Sequence, residues 1–175
     1  MSAFDAALKI IVGDEGRRDN DPRDPGGETA WGHDQASWLD VRLRMPADIR
    51  AQMPARVRDL TWSQAVQAYR WGHWNAFRCD DLPPPLALAL FDSEVNQGPG
   101  WAPQELQAIL GVRADGQIGP ITVQAARGCD VLDVLTRFTG ERLLRYQNTA
   151  GANTYLRGWG LRALRTCALA LSYST

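Results

Sequence analysis

The sequence predicts a mainly α fold with one irregular loop or small hairpin near residues 17–36. Three observations carry this. Apolar residues recur at three- and four-residue spacing in one segment after another, which is the mark of helices with one buried face. Capping signals stand before several of those segments. No credible pair of alternating strands is found outside the 17–36 stretch. At 175 residues the chain is long enough to bury a substantial core, and 45% hydrophobic with 22% charged residues is a globular composition.

Ser2 with Asp5 resembles a capping box with Asp in place of Glu. Phe4, Ala7, Leu8, Ile11 and Val12 then form an apolar stripe, and Glu15 continues it four residues past Ile11. Gly13 and Gly16 suggest that the helix ends there. Residues 17–36 hold two prolines, three glycines and four aspartates, with Gly26-Gly27 suited to a tight turn. Between Trp38 and Ala51, Pro46 breaks the pattern into short helices or turns. Thr61 and Gln64 form a second capping box, opening a helix to about Trp74. After the rigid run Asp80 to Pro85 comes a strongly apolar helix ending near Asn96, stopped by Gly98-Pro99-Gly100. A short helix from Pro103 to Leu110 is closed by Gly111. Pro120 opens a helix through Ala126, a long helix runs from about Asp130 to Asn148, and a last one follows Trp159. The whole is expected as one compact domain, 1–175, with a catalytic lobe over 1–96 and a second helical half over 97–175.

Net charge is −1, so no global field recruits nucleic acid or a membrane. Residues 137–165 nonetheless carry six arginines against Glu141 alone. That patch reads either as a solvated helical face or as a surface meeting an anionic envelope polymer. Cys79, Cys129 and Cys167 are an odd number without CxxC spacing, which fits neither a disulfide framework nor a zinc site. His33 and His73 lie too far apart for a sequence-local metal motif, so no metal and no cofactor are expected. No apolar run approaches the roughly 20 residues of a membrane span. Residues 3–12 lack a basic leader and are interrupted by Asp5 and Lys9, so no signal peptide is expected.

Chemistry concentrates around Glu15. A carboxylate at the inner edge of an apolar face is partly desolvated, which raises its pKa and suits a general acid. Taken alone, Glu15 reads as a helix-end carboxylate that reaches solvent or pairs with Arg17 or Arg18. Glycoside hydrolysis calls for two carboxylates of unequal pKa, and Asp19, Asp21, Asp24 and Glu28 all stand on the following loop. Spacing does not choose between them.

The stretch EGRRDNDPRDPGGETAWG, Glu15 to Gly32, resembles the opening motif of glycoside hydrolase family 108, the lysozyme-like endolysins and N-acetylmuramidases. DDLP at Asp80 to Pro83, followed by LFDSEVNQGPG at Leu90 to Gly100, resembles a second block of that family. LQAILGVRADGQIGP from Leu106 to Pro120 is similar to its peptidoglycan-binding helical half, and Tyr155 to Trp159 to its closing region. The blocks run in matching order across nearly the whole chain.

The resemblance implies a lysozyme-like helical domain that cleaves the β-1,4 bond between N-acetylmuramic acid and N-acetylglucosamine. It implies Glu15 as catalytic acid, with Asp24 and Thr29 positioning the attacking water. Asp92 and Asn96 match the second block as substrate-binding residues; Asn96 reads equally as a helix C-cap. Trp31 offers a flat ring for a sugar or a lid for the core, and Tyr69 and Trp74 are candidates for a glycan groove. The family's glycine and tyrosine after the acid are replaced by Arg17 and Arg18, and a cation close to Glu15 would lower its pKa. The implied partner is the peptidoglycan glycan strand, cut by a monomer without nucleic acid or stable membrane insertion. Synthesis in a bacterial cytoplasm and release by a holin-type route are expected. Two other classes fit the same residues: a peptidoglycan-binding or structural module with a weakened site, and an exported muramidase toxin.

Overall fold

The computed structural model describes residues 2–12, 29–98 and 100–173. Its contacts divide into two compact units, Met1–Ala76 and Phe77–Thr175. The 96/97 division expected from sequence instead falls within the last turn of a helix.

In the first unit, helix α1 (Ala3–Val12) starts as expected: the Ser2 hydroxyl accepts from the Asp5 amide and the Asp5 carboxylate accepts from the Ser2 amide, both at 3.1 Å. Strands β1 (Thr29–Ala30) and β2 (His33–Asp34) pair antiparallel, Thr29 opposite Asp34 and Ala30 opposite His33. This is the small hairpin allowed for within 17–36. Asp34 then caps α2 (Gln35–Arg44), accepting from the Ser37 amide at 2.8 Å and the Ser37 hydroxyl at 2.6 Å. Pro46 ends that helix and precedes the short α3 (Ala47–Ala51). The Thr61–Gln64 capping box is formed and opens α4 (Trp62–Ala68).

Beyond α4 the sequence expectation of an uninterrupted α-helix to Trp74 gives way to a π-helix over Tyr69–Asn75. Packing explains the change. Gly72 lies so close to α2 that a Cβ would sit 2.7 Å from the Val41 side chain and 2.9 Å from its carbonyl. Widening the turn lets the backbone approach α2 without losing its hydrogen bonds. The core beneath gathers Ala30, Trp38, Val41, Met45, Met53, Val57, Leu60 and Ala68, and the Trp38 indole N–H donates to the Pro54 carbonyl at 2.8 Å.

The second unit is built around α5 (Pro84–Gln97), in which every residue from Pro85 to Glu94 is buried. A helix buried on all sides needs neighbours on all sides. These are α6 (Trp101–Ile109), α8 (Val131–Gln147) and α9 (Ala152–Leu171), all packed against it. The shorter α7 (Pro120–Gly128) begins at Pro120 as expected, and the Asp130 carboxylate caps α8 through the Leu132 and Asp133 amides.

Helix α9 starts at Ala152, well before Trp159. The turn residue is Gly151, at φ +86°, and Gly158 and Gly160 remain inside the helix. Two interior glycines cost only about 1 kcal/mol each, which burial against α5 and α8 readily offsets.

Gln107 fastens the connector between α6 and α7. The two N–H groups of its amide are shared among the Asp115 carboxylate and the Gln117 carbonyl, both at 2.9 Å, and the Thr122 hydroxyl at 3.1 Å, while its oxygen accepts from the Gly116 amide at 2.8 Å. Replacing Gln107 with Leu strips every one of these bonds from an almost fully buried position. A loss of about 2–3 kcal/mol is expected in urea unfolding; a change within about 0.5 kcal/mol would show that the connector holds itself.

Candidate active site

The first unit turns on two residues. The loop between β1 and β2 is only Trp31-Gly32, and both adopt positive φ, +54° and +80°. Such a turn matches the twist of a hairpin but favours Asn and Gly. Trp at a left-handed position costs roughly 1–2 kcal/mol, so something must hold it. Three contacts do. The Trp31 indole N–H donates to the Leu60 carbonyl at 3.0 Å, its own carbonyl accepts from the Tyr69 hydroxyl at 2.8 Å, and its ring packs on Trp62 at 5.4 Å. Gly32 is required as well, since a Cβ there would meet the Tyr69 oxygen at 2.5 Å. Trp31 is half-buried and Trp62 is 42% exposed, and the Trp31 N–H is already used.

Thr29 opens β1 on the same hairpin and is half-buried. Glu15 and Asp24, with the alternatives Asp19, Asp21 and Glu28 and the neighbouring Arg17 and Arg18, lie outside the described residues. Asp34, the acid described on the hairpin, is occupied in capping α2.

Tyr69 and Trp74 correct the sequence expectation. Both are fully enclosed and have no face for a glycan. Tyr69 holds the hairpin from beneath, and Trp74 meets Phe4 edge-on at 5.5 Å, tying α1 to the π-helix.

Sequence reasoning missed that His33 and His73, forty residues apart, are neighbours. The His33 ring stacks on Tyr69 at 4.1 Å and lies 5.8 Å from His73. The readable signal was the four-residue spacing of Tyr69 and His73, which puts both on one side of their helix. Burial, followed by the proximity of His73, pushes His33 down to about 3, although a hydrogen bond to the Ala65 backbone favours the charged form. Its Nε2 is buried without a hydrogen-bond partner among the described residues. Neutral His33 thus serves as a flat packing surface under the hairpin. No group of three or more His, Cys, Asp or Glu able to hold a metal occurs among the described residues.

In the second unit, Asp92 is likewise a correction. It is 0% exposed, and its carboxylate meets Arg142 Nη1 at 2.6 Å, Arg162 Nε at 2.9 Å and Nη2 at 2.8 Å, and the Thr166 hydroxyl at 3.0 Å. Burial alone would raise its pKa, but Arg142 and then Arg162 outweigh it and hold the carboxyl below its usual range. With both oxygens committed and no exposed surface, Asp92 joins α5 to α8 and α9 rather than binding sugar. Asn96 extends the network. Its side-chain oxygen accepts from the Tyr146 hydroxyl at 2.6 Å, and Tyr146 accepts in turn from Arg142 at 2.9 and 3.2 Å. The α5 C-cap is Gly98 rather than Asn96.

Two outcomes follow. Asp92→Asn removes the charge shared by two guanidiniums and should cost about 3–5 kcal/mol in chemical denaturation; near-neutral behaviour would contradict the ion-pair account. For His33 the folded pKa lies below the unfolded value of about 6.5, so the unfolded chain gains a proton first as pH falls. Its contribution is intact above about pH 6.5 and is lost toward pH 3, by up to about 1.4 kcal/mol per pH unit. His33→Phe keeps the stacking surface and should flatten that slope in stability measured from pH 7 to 4; an unchanged slope would show that His33 titrates normally.

Comparison with known proteins now places these features. The sequence profile described as Glycosyl hydrolase 108 matches residues 8–98, a span that includes the hairpin and α5. The solved structure of SagA from Brucella abortus matches with a TM-score of 0.81 and 31% sequence identity, covering 98% of this chain and 95% of the SagA chain. No curated protein matches the chain. With the family profile covering more than half of its length, this mainly α, lysozyme-like chain belongs to glycosyl hydrolase family 108 and is a glycoside hydrolase of the peptidoglycan-cutting kind.

Proposed function

We propose that the chain is an N-acetylmuramidase, hydrolysing the β-1,4 bond between N-acetylmuramic acid and N-acetylglucosamine in peptidoglycan. The observation that carries this reading is the family match over residues 8–98, which includes the Glu15-to-Gly32 motif. Glu15 gives its proton to the glycosidic oxygen as that bond breaks. Asp24 and Thr29 orient a water that attacks the anomeric carbon, and the water's proton passes to the carboxylate.

Thr29 stands on a hairpin whose turn is pinned through Tyr69 and Leu60, so its backbone is held rather than loose. Trp31 supplies a half-buried indole on that hairpin, suited to the apolar face of a pyranose. The enzyme is read as a monomer made in the cytoplasm and reaching the wall through a holin-type or other release route.

The test is clearing of purified peptidoglycan by wild type beside Glu15→Gln. Loss of a general acid should lower the rate by about a hundredfold to ten-thousandfold with substrate binding retained. Clearing that persists in Glu15→Gln would remove the catalytic assignment. Inactive wild type that still sediments with peptidoglycan would point to a binding module. Mass spectrometry of the products distinguishes a muramidase from a glucosaminidase, a transglycosylase or an amidase, and NMR of the released anomer separates inversion from retention.

A further inference from the structure

Helix α9 has two apolar faces where a surface helix needs one. Ala163, Thr166 and Ala170 are buried in the second unit. On the opposite side Leu161, Leu164, Ala168 and Leu171 follow one another at intervals of three, four and three, and all are exposed. Leu161 is 44% exposed, Leu164 54% and Leu171 38%. Isolated exposed leucines are ordinary, but a continuous stripe on one helix face marks an interaction surface.

Charge says what that surface meets. Helix α9 contains no Asp or Glu over its 20 residues. Of its three arginines, Arg162 is taken by Asp92, whereas Arg157 and Arg165 are exposed on the leucine side with no carboxylate partner among the described residues. The nearby acids Glu105 and Glu141 face a separate groove of about 790 Å³, lined also by Leu156, Gly160 and Arg137 on another flank of the helix. The outward face is therefore apolar with a positive border. A second copy of α9 laid against it would bring arginines toward arginines with no acid from either helix to pair them. An anionic lipid surface offers hydrocarbon for the leucines and phosphates for the arginines. No described helix is long and apolar enough to cross a membrane, so α9 is fitted to lie on one.

We propose that the Leu161–Leu164–Ala168–Leu171 face of α9, bordered by Arg157 and Arg165, docks this protein on the surface of an anionic phospholipid membrane. Docking would hold the hydrolase beside the wall it cuts. The proposal does not depend on which bond is cut.

The test is co-sedimentation of the full chain with vesicles of equal phosphatidylglycerol and phosphatidylethanolamine, against vesicles of phosphatidylcholine alone. Binding to the anionic vesicles, little to the neutral ones, and release at about 0.5 M salt are expected. Leu161→Ser with Leu164→Ser should reduce partition by about tenfold or more. Arg157→Gln with Arg165→Gln should cost roughly fivefold per charge. Both double variants should keep the wild-type circular dichroism and peptidoglycan clearing, since all four side chains are exposed and none is assigned to the hydrolytic chemistry. Absence of wild-type binding to anionic vesicles overturns the proposal. So does equal binding to neutral vesicles, or undiminished binding of the leucine variant. Sedimentation velocity showing a dimer that the leucine variant abolishes would assign the face to self-association and overturn the lipid assignment.

Discussion

Burying a carboxylate without neutralising it would cost far more than a small protein can spare. The second unit meets that constraint at Asp92 with two guanidiniums and a hydroxyl, drawn from α8 and α9. The arrangement dictates more than local satisfaction. Apolar burial around the enclosed α5 holds its neighbours close but is non-directional. Ion-pair geometry is far less tolerant. Arg142 must come from one turn of α8 and Arg162 from one turn of α9 if both are to reach the same carboxylate. Tyr146 and Asn96 repeat the restriction one turn along, with a stacked Trp159 beside the phenol at 5.4 Å.

The first unit solves a different problem, that of holding a strained two-residue turn. Its solution is aromatic and polar rather than ionic. A phenol oxygen beneath the Trp31 carbonyl, an indole bond to Leu60, and His33 packed flat on Tyr69 all act on a hairpin of four paired residues. A hairpin that short has no stability of its own. Its conformation is imposed by the π-helix and the Trp38 core, as expected of a loop built to carry functional groups on a firm base.

Much of this was legible from the chain. Ser2 with Asp5, Thr61 with Gln64, and Pro120 each marked a helix start because their signals are local: in the first two a side chain answers a backbone amide a few residues away, and in the third the ring fixes φ where no N–H is needed. The hairpin fell within the segment that turn residues had set apart, and Thr29 and Trp31 were found on it. What failed to show was non-local. Asp92 looked like a sugar ligand because nothing near it in sequence reveals Arg142 and Arg162, fifty and seventy residues on. Tyr69 and Trp74 were chosen as aromatics, a property shared by groove residues and core residues alike. Gly158 and Gly160 weakened the expected helix around them, while the deciding fact was burial of the opposite face. The π-helix had no signature at all, since it answers to the close approach of Val41.

That π-helix makes length an angular quantity. A segment wound with one residue more per hydrogen-bonded ring holds Tyr69 and His73 where they meet His33. Deleting a single residue between Tyr69 and Asn75 would return the segment to ordinary α winding, closing the widened turn and re-aiming the side chains within it while the flanking helix stays near its register. In sequence such a change is a gap of one; in space it re-aims the support of the hairpin. Relatives differing by one residue here would therefore diverge in what lies under Trp31 while keeping every motif residue intact.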